Sequence, residues 1–586
     1  MNHLKYALRY LVLLYKSGNR LDPSNYRGIS ITSNLGKLFN RIIHTRLLEF
    51  VKSMSLISEN QIGFKENCRT SDHLFSIKTI IDHYKSKKVY AAFIDLRKAF
   101  DTVWREGLFY KLLNSNISQK LFNILFSMYS NTTSRIKFSD GLGKIFNSEC
   151  GVKQGDVLSP TLFNIFIDGI VSDLKQNVKC EPVHVNNLNV NCLLYADDIV
   201  ILSESKSGLQ TSLDILYNYC SNWKLQVNVD KSKIMIFNSN SKHQSINFTF
   251  NGNNMQVVSK YCYLGIVLKS NGKFNLATSV LVEKARKAYF KMKKIIGIDN
   301  PCKLLEKLFD SIVLPVLLYC CEIWGVDLSL KDISVIEKFH VKFLGFHCKA
   351  SNAVCLAELN RLPLWSKISF SSIKYWNHLI TSNSLAFKLY QGTINSNSWT
   401  KKIYGILDNL GFSNISNYKS TIQHFLPNIK QRIIDQCIQE QSSKIFSSEK
   451  LSFFQKLYMR KRSPYVDILR KRSERSSISR IRLSAHKLAI ESGRYNATIR
   501  NERYCNACKT GAIEDETHFL FQCKAYSHLR NSYFSNFYKI SKINIANNLD
   551  KERYILHVCL NSEIHTILNI TVKFINDCFE HRCQLV

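Results

Sequence analysis

The chain has 586 residues, 45% of them apolar, which is enough for several domains and too apolar for disorder. Its 80 lysines and arginines against 45 acidic residues leave a formal charge of +35, more than solubility requires, so the expected partner is a polyanion, with nucleic acid ahead of an acidic membrane surface. No lipidation signal stands out, the N-terminal apolar run lacks a small-residue cleavage site, and 18 mostly scattered cysteines read as buried thiols in a reducing compartment, so neither a membrane nor secretion is expected.

In chain order, Leu11 to Tyr15 reads as a strand, followed by a polar turn through Gly18 and Asp22-Pro23. Leu38, Ile42, Ile43, Leu47 and Leu48 then share one face of a helix whose other faces carry Lys37, Arg41, His44 and Arg46. Lys16 and Arg27 sit beside turns, where alone they are ordinary surface cations. The stretch QIGFKENCRTSD places Gly63, Lys65 and Arg69 in a loop, with Thr70 or Ser71 as cap for an apolar helix from Leu74 to Tyr84.

Val89 to Ile94 forms an apolar strand that ends in Asp95. A carboxylate there is costly unless it caps a helix, is paired, or binds metal. Asp101 reads as a cap or an ion-pair partner. After a helix over 117–130, Gly151, Gly155 and Pro160 make an irregular loop opening an apolar helix, Leu162 to Leu174.

The segment CLLYADDIVILS, Cys192 to Ser203, is organised as strand, tight turn, strand, with Asp197 and Asp198 at the tip. Adjacent aspartates in such a place are either an acidic turn or a site for a hard divalent cation, and Asp95 is the natural third carboxylate. A helix from Gly208 to Trp223 leads to a strand, a turn carrying Lys231 and Lys233, and a second strand. A short hairpin bounded near Gly272 follows, then a helix from Leu276 whose lysines and arginines either meet phosphates or face solvent.

Residues 300–400 read as helical and apolar, and the run from Leu308 to Val326 is expected as a buried helix rather than a membrane span. Residues 401–455 read as loose helices or linker, and Tyr458 to Lys487 as a basic nucleic-acid strip or exposed linker. Finally, Cys505 and Cys508 form a C-x-x-C followed closely by His518 and Cys523. That spacing suits a Cys₃His zinc centre; the alternative is chance clustering of core cysteines. A helical tail closes the chain.

Taken in order, NYRGIS, QIGFKENCRTSD, FIDLRKAFDTV, GVKQGDVLSPTLFNIFI, YADD, NVDKSK and YLGIVL resemble the reverse transcriptases of non-LTR (LINE-type) retrotransposons over roughly residues 11 to 365. VLPVLLYCCEIWG looks like their thumb, and the Cys/His segment resembles their C-terminal zinc-binding piece. The resemblance implies an α+β right-hand polymerase with fingers (1–90, N-terminally truncated), a palm with an antiparallel sheet (91–272) and a helical thumb (273–365). A helical, basic linker region (366–480) and a mainly helical C-terminal region with a small zinc-binding segment (481–586) follow.

It further implies RNA-directed DNA synthesis from a primer 3′ hydroxyl, with an RNA template, a DNA primer or target and dNTPs as partners. Asp95, Asp197 and Asp198 would hold two Mg²⁺ ions, and Lys231 would lie near the leaving phosphate. Phe100 would exclude a ribose 2′ hydroxyl, Gln154 and Gly155 would touch the templating pair, and Lys65, Arg69 and Arg27 would reach the triphosphate. Cys505, Cys508, His518 and Cys523 would hold one structural zinc, and the protein would work in the nucleus or cytoplasm as a ribonucleoprotein. Full-length relatives usually carry a DNA endonuclease, for which neither flank has room, so a partial element product relying on a separate endonuclease is expected. The competing expectation is a nucleic-acid-binding relic or adopted template-binding protein that has lost polymerisation.

Overall fold

The computed structural model describes residues 8–16, 18–85, 87–130, 132–238, 246–297, 299–343, 350–413, 422–533 and 551–585. Parts of the expected polar linker (414–421) and of the helical tail (534–550) lie outside the described residues. The chain forms two compact units, Met1–Leu276 with His378–Lys401, and Ala277–Asn377 with Lys402–Val586.

The first unit opens with β1 (Leu8–Tyr15) and β2 (Tyr26–Ile31), then helix α1 (Asn34–Ser53), capped by Ser33, whose side chain accepts from the Gly36 amide. Helix α2 (Thr70–His83) is capped differently from the expectation: its N-cap is Arg69, whose amide donates to Asp72 Oδ2 at 2.7 Å. The Asp72 carboxylate reaches back from the third helical position, so neither Thr70 nor Ser71 is needed as the cap.

Strand β3 (Val89–Asp95) follows, then α3 (Arg105–Asn114), α4 (Gln119–Tyr129) and the hairpin β4 (Thr133–Lys137) and β5 (Leu142–Asn147). The single apolar helix expected from Leu162 divides into α5 (Ser159–Ile167) and α6 (Gly169–Gln176) at Asp168. Short strands β6 (Val183–Val185) and β7 (Leu188–Val190) precede β8 (Cys192–Tyr195) and β9 (Asp198–Ser203). Helix α7 (Lys206–Asn222) and β10 (Lys233–Phe237) come next. Two hairpins complete the strands: β11 (Phe248–Phe250) with β12 (Asn253–Met255), and β13 (Lys260–Tyr263) with β14 (Ile266–Lys269).

Two four-stranded sheets result, ordered β2-β1-β4-β5 and β10-β3-β9-β8. The second is antiparallel throughout, with β3 central. Its residues are apolar on both faces: Val89, Ala91, Ala92, Phe93 and Ile94 are all buried, as a strand covered on both sides requires. Ile199, Val200 and Ile201 do the same in β9, while Leu162, Phe163 and Phe166 of α5 and Leu209, Leu213 and Leu216 of α7 join the same core. The strand expected before the Lys231 turn is reduced to one isolated bridge, Leu96 to Val227, because the chain turns at Asn228 and its amide bonds back to the Asp95 carbonyl.

Residues 378–401 belong to this unit rather than behaving as a linker. Asn397 Nδ2 donates to Thr79 at 3.2 Å, Ser398 Oγ donates to Asp82 at 2.7 Å, and Trp399 meets the Phe75 ring edge-on.

The second unit is helical. The run from Leu308 to Val326 is buried in large part but broken into Phe309–Val313, Leu314–Leu317 and Cys321–Trp324, with Pro315 inside and Cys320 in the left-handed region at φ 53°. Among the described residues no helix is long and apolar enough to cross a membrane. The strongly basic strip contains helix Arg472–Arg482, in which Arg475 and Arg482 are buried. The Arg482 guanidinium donates to both Glu358 oxygens and to the Leu560 carbonyl, so part of that charge is internal structure.

Candidate active site

Strands β8 and β9 are joined by a two-residue turn, Ala196-Asp197, closed by the Tyr195–Asp198 pair. Ala196 takes a left-handed φ of 56°. A preceding segment holds this turn. The Gln61 side chain accepts from the Ala196 amide at 2.9 Å and donates to its carbonyl at 3.3 Å, and the Ile62 amide donates to Leu194 O at 2.9 Å. A β-carbon on Gly63 would stand 2.3 Å from the Ala196 nitrogen, so only glycine permits this approach.

Register does the rest. Asp95 pairs directly with Asp198 across the antiparallel β3–β9 ladder, and Asp197 adjoins it in the turn. Residues separated by about a hundred positions therefore bring three carboxylates to one strand end, since directly opposed residues sit about 5 Å apart. Asp95 and Asp197 are half-buried and Asp198 is exposed. Partial removal from water and repulsion from Asp197 and Asp95 push Asp198 up to about 6. Asp197 is also raised, by loss of solvent and by Asp95, against the pull of Arg27 and Lys16.

Cations surround this end. Lys16 is lowered by partial burial and by repulsion from Arg27 and Lys231, and is favoured by Asp101 and Asp197. Lys231 stands in a turn bound to β3: Asn228 N donates to Asp95 O at 2.8 Å, and Asp95 N donates to Ser232 Oγ at 3.0 Å. Thus Asp95, Asp197, Asp198, Arg27 and Lys231 share one electrostatic neighbourhood. Of two other expected cations, Lys65 Nζ donates to Ser58 O at 3.1 Å, and Arg69 is the N-cap residue of α2 through its backbone amide.

Phe100 lies flat on buried Phe163, with ring centroids 4.7 Å apart and planes 18° apart. The Gln154 carbonyl accepts from the Ser30 amide at 2.7 Å, tying the glycine loop to β2, while Gln154 Oε1 is buried with no partner among the described residues. Gly155, at φ 102°, has Ser30 O 3.0 Å from where a β-carbon would be.

The sequence marks Lys16 only as a surface cation beside a turn and points to no role for Gln61 or Asn164, whose Nδ2 holds the Gly63 carbonyl at 2.7 Å. The available signal was a polar residue immediately before Ile62-Gly63, in a stretch with no other reason to bury an amide.

Residues 15–268 match the family described as reverse transcriptase (RNA-dependent DNA polymerase). Over residues 15–268 the chain is therefore similar to reverse transcriptases, and the relatives it resembles come from mobile elements. It is 28% identical over 396 residues to an RNA-directed DNA polymerase from the mobile element jockey of Drosophila funebris, covering 65% of this chain and 42% of that relative. It is 30% identical over 225 residues to the Pol polyprotein of a type-1 R2 element of Popillia japonica, covering 38% of this chain and 31% of that one. Among solved structures it is similar to apo telomerase from Candida tropicalis, at 12% identity and a TM-score of 0.36, covering 74% of this chain and 70% of that one. The matched stretch spans the first unit's carboxylates and the cations around them, and the chain spans about two fifths of the jockey relative's length, 42%.

In the second unit, a ligand atom from each of Cys505, Cys508, His518 and Cys523 lies within 4.8 Å of the others. Cys505 and Cys523 sulfurs are 3.8 Å apart, matching the separation of about 3.8 Å for two thiolates each ~2.3 Å from a tetrahedral zinc. Burial alone would raise Cys508, but hydrogen bonds from Thr510 and His518 outweigh it and bring the thiol down to about 6. That favours the thiolate, the form a metal takes.

Proposed function

We propose that the chain is an RNA-directed DNA polymerase that extends a primer 3′ hydroxyl with dNTPs on an RNA template. The observation that carries this reading is the register that sets Asp95 opposite Asp198 with Asp197 alongside, in a field supplied by Lys16, Arg27 and Lys231. Three carboxylates at one strand end, with Asp197 and Asp198 raised in proton affinity by burial and by their neighbours, are a poor structural device and a good donor set for hard divalent cations. Asp95, Asp197 and Asp198 would hold two Mg²⁺, which when bound supply Lewis-acid activation of the attacking hydroxyl and neutralise charge on the leaving pyrophosphate.

The chain's own residues do the remaining work. Arg27 and Lys16 would balance triphosphate charge, and Lys231, which shares their electrostatic field, would give a proton to the departing pyrophosphate as the new bond from the 3′ oxygen to the α-phosphorus replaces the α–β bridge. Phe100, flat on Phe163, would close the floor beneath the sugar, and Gln154 and Gly155 would line the approach of the templating pair. Cys505, Cys508, His518 and Cys523 would hold one structural zinc.

Primer extension on matched RNA and DNA templates tests the reading. It expects Mg²⁺-dependent dNTP incorporation on RNA. RNA binding that weakens with salt, without incorporation under any divalent metal, would instead favour a template-binding protein that no longer polymerises.

A further inference from the structure

Phe64 is a large aromatic left 61% exposed, on a backbone with φ of 59°. A side chain with a β-carbon is strained in that region, and an exposed ring recovers little by burial, so the surroundings must hold it there. They do so through the site. Gln61 grips both polar groups of Ala196, Asn164 holds the Gly63 carbonyl, and Gly63 rests against the turn that carries Asp197. The Phe64 ring then meets Phe100 edge-on, with centroids 6.3 Å apart and planes at 85°, while Phe100 lies on Phe163. Phe100 is therefore held from two directions, by a buried floor and by an exposed edge.

We infer that Phe64 is a positioning residue for sugar selection: its edge fixes the rotamer of Phe100, so that Phe100 excludes a 2′ hydroxyl at a place registered to the Asp197 turn. The inference rests on the polymerase reading and on Phe100 facing the sugar. A Phe100 ring freed on one side can swing over its floor and admit the extra hydroxyl. Because the loop is bonded to the same turn as Asp197, the position of the ring and of the carboxylates is set together.

Single-nucleotide incorporation of dNTP and rNTP on a primed RNA template decides it, with kcat and KM resolved for each. Phe64→Ala should raise the rNTP-to-dNTP ratio of kcat/KM roughly fivefold, the scale of one lost aromatic pair. Phe64→Tyr, which keeps the edge, should retain the parent ratio. In a Phe100→Val background, Phe64→Ala should add nothing further, because it acts through the ring already removed. A Phe64→Ala ratio within twofold of the parent, an equal loss for both sugars, or a full effect persisting in Phe100→Val would each overturn the inference. A parent chain that incorporates neither sugar would remove the polymerase reading itself, a result distinct from the other three.

Discussion

At the open end of the central sheet Asp198 faces Asp95 and adjoins Asp197, and its carboxyl is pushed up to about 6 from an ordinary value of 3.8. A raised acid binds its proton more tightly in the folded state, so its contribution is lost as pH rises through that interval and the metal-free fold pays most above pH 6. Asp198→Asn should therefore raise the melting temperature of metal-free protein at pH 7.5. The gain should shrink as pH falls from 6 towards 3.8; a gain independent of pH would mean that the carboxylate is not the source. The Arg482–Glu358 pair is the opposite case, two charges almost fully enclosed and joined at 2.8 Å. Glu358→Ala leaves a buried guanidinium short of its partner and should cost about 3–5 kcal/mol, read as a lower denaturation midpoint of the helical unit. Nothing in the sequence around Arg482 separates it from the neighbouring surface cations, because its partner lies 124 positions away. By contrast, Asp95 was legible, because a carboxylate ending a run of buried apolar residues demands a purpose.

Elements built on a dense local pattern were readable, and those decided by a single turn were not. The apolar runs on either side of the aspartates in CLLYADDIVILS and the continuous apolar run of β3 both mark strands, whereas the Lys224–Asn228 stretch turns away after one bridge to satisfy the Asp95 carbonyl. The broken helices around Pro315 and Cys320 likewise follow from local backbone geometry that an apolar run hides. Gly63 gives the element-scale test of the candidate site. Gly63→Ala places a β-carbon 2.3 Å from the Ala196 nitrogen and must push the aspartate turn aside, with an expected stability loss of about 1–3 kcal/mol and slower primer extension. Wild-type extension by a folded Gly63→Ala protein would show that the turn tolerates the shift. For the Cys/His segment, metal analysis of the full chain should find about one zinc, and a chelator should lower the unfolding temperature. Zinc-free folded protein, indifferent to chelator, would return the four residues to ordinary core chemistry.

Over the whole molecule, the ordered blocks pointed to the family that residues 15–268 match, since a resemblance summed over many residues survives local error, and the +35 charge leads to the expectation of a nucleic-acid partner. The return of residues 378–401 to the first unit was not legible: Asn397, Ser398 and Trp399 find Thr79, Asp82 and Phe75 more than 300 positions upstream. RNA affinity should fall steeply with salt, by about 10³-fold or more between roughly 50 and 200 mM if six or more phosphates are neutralised, and a flat salt dependence would contradict an electrostatic interface. Whether Asp95 and Asp197 act as one cation-binding unit is decided by rates of RNA-templated primer extension for Asp95→Asn, Asp197→Asn and the double variant. Each single change should slow the reaction about 10³-fold, and the double change should cost little more, because the second residue has no shared ions left to hold. Near-parent rates in either single variant, or losses that multiply in the double, would contradict it.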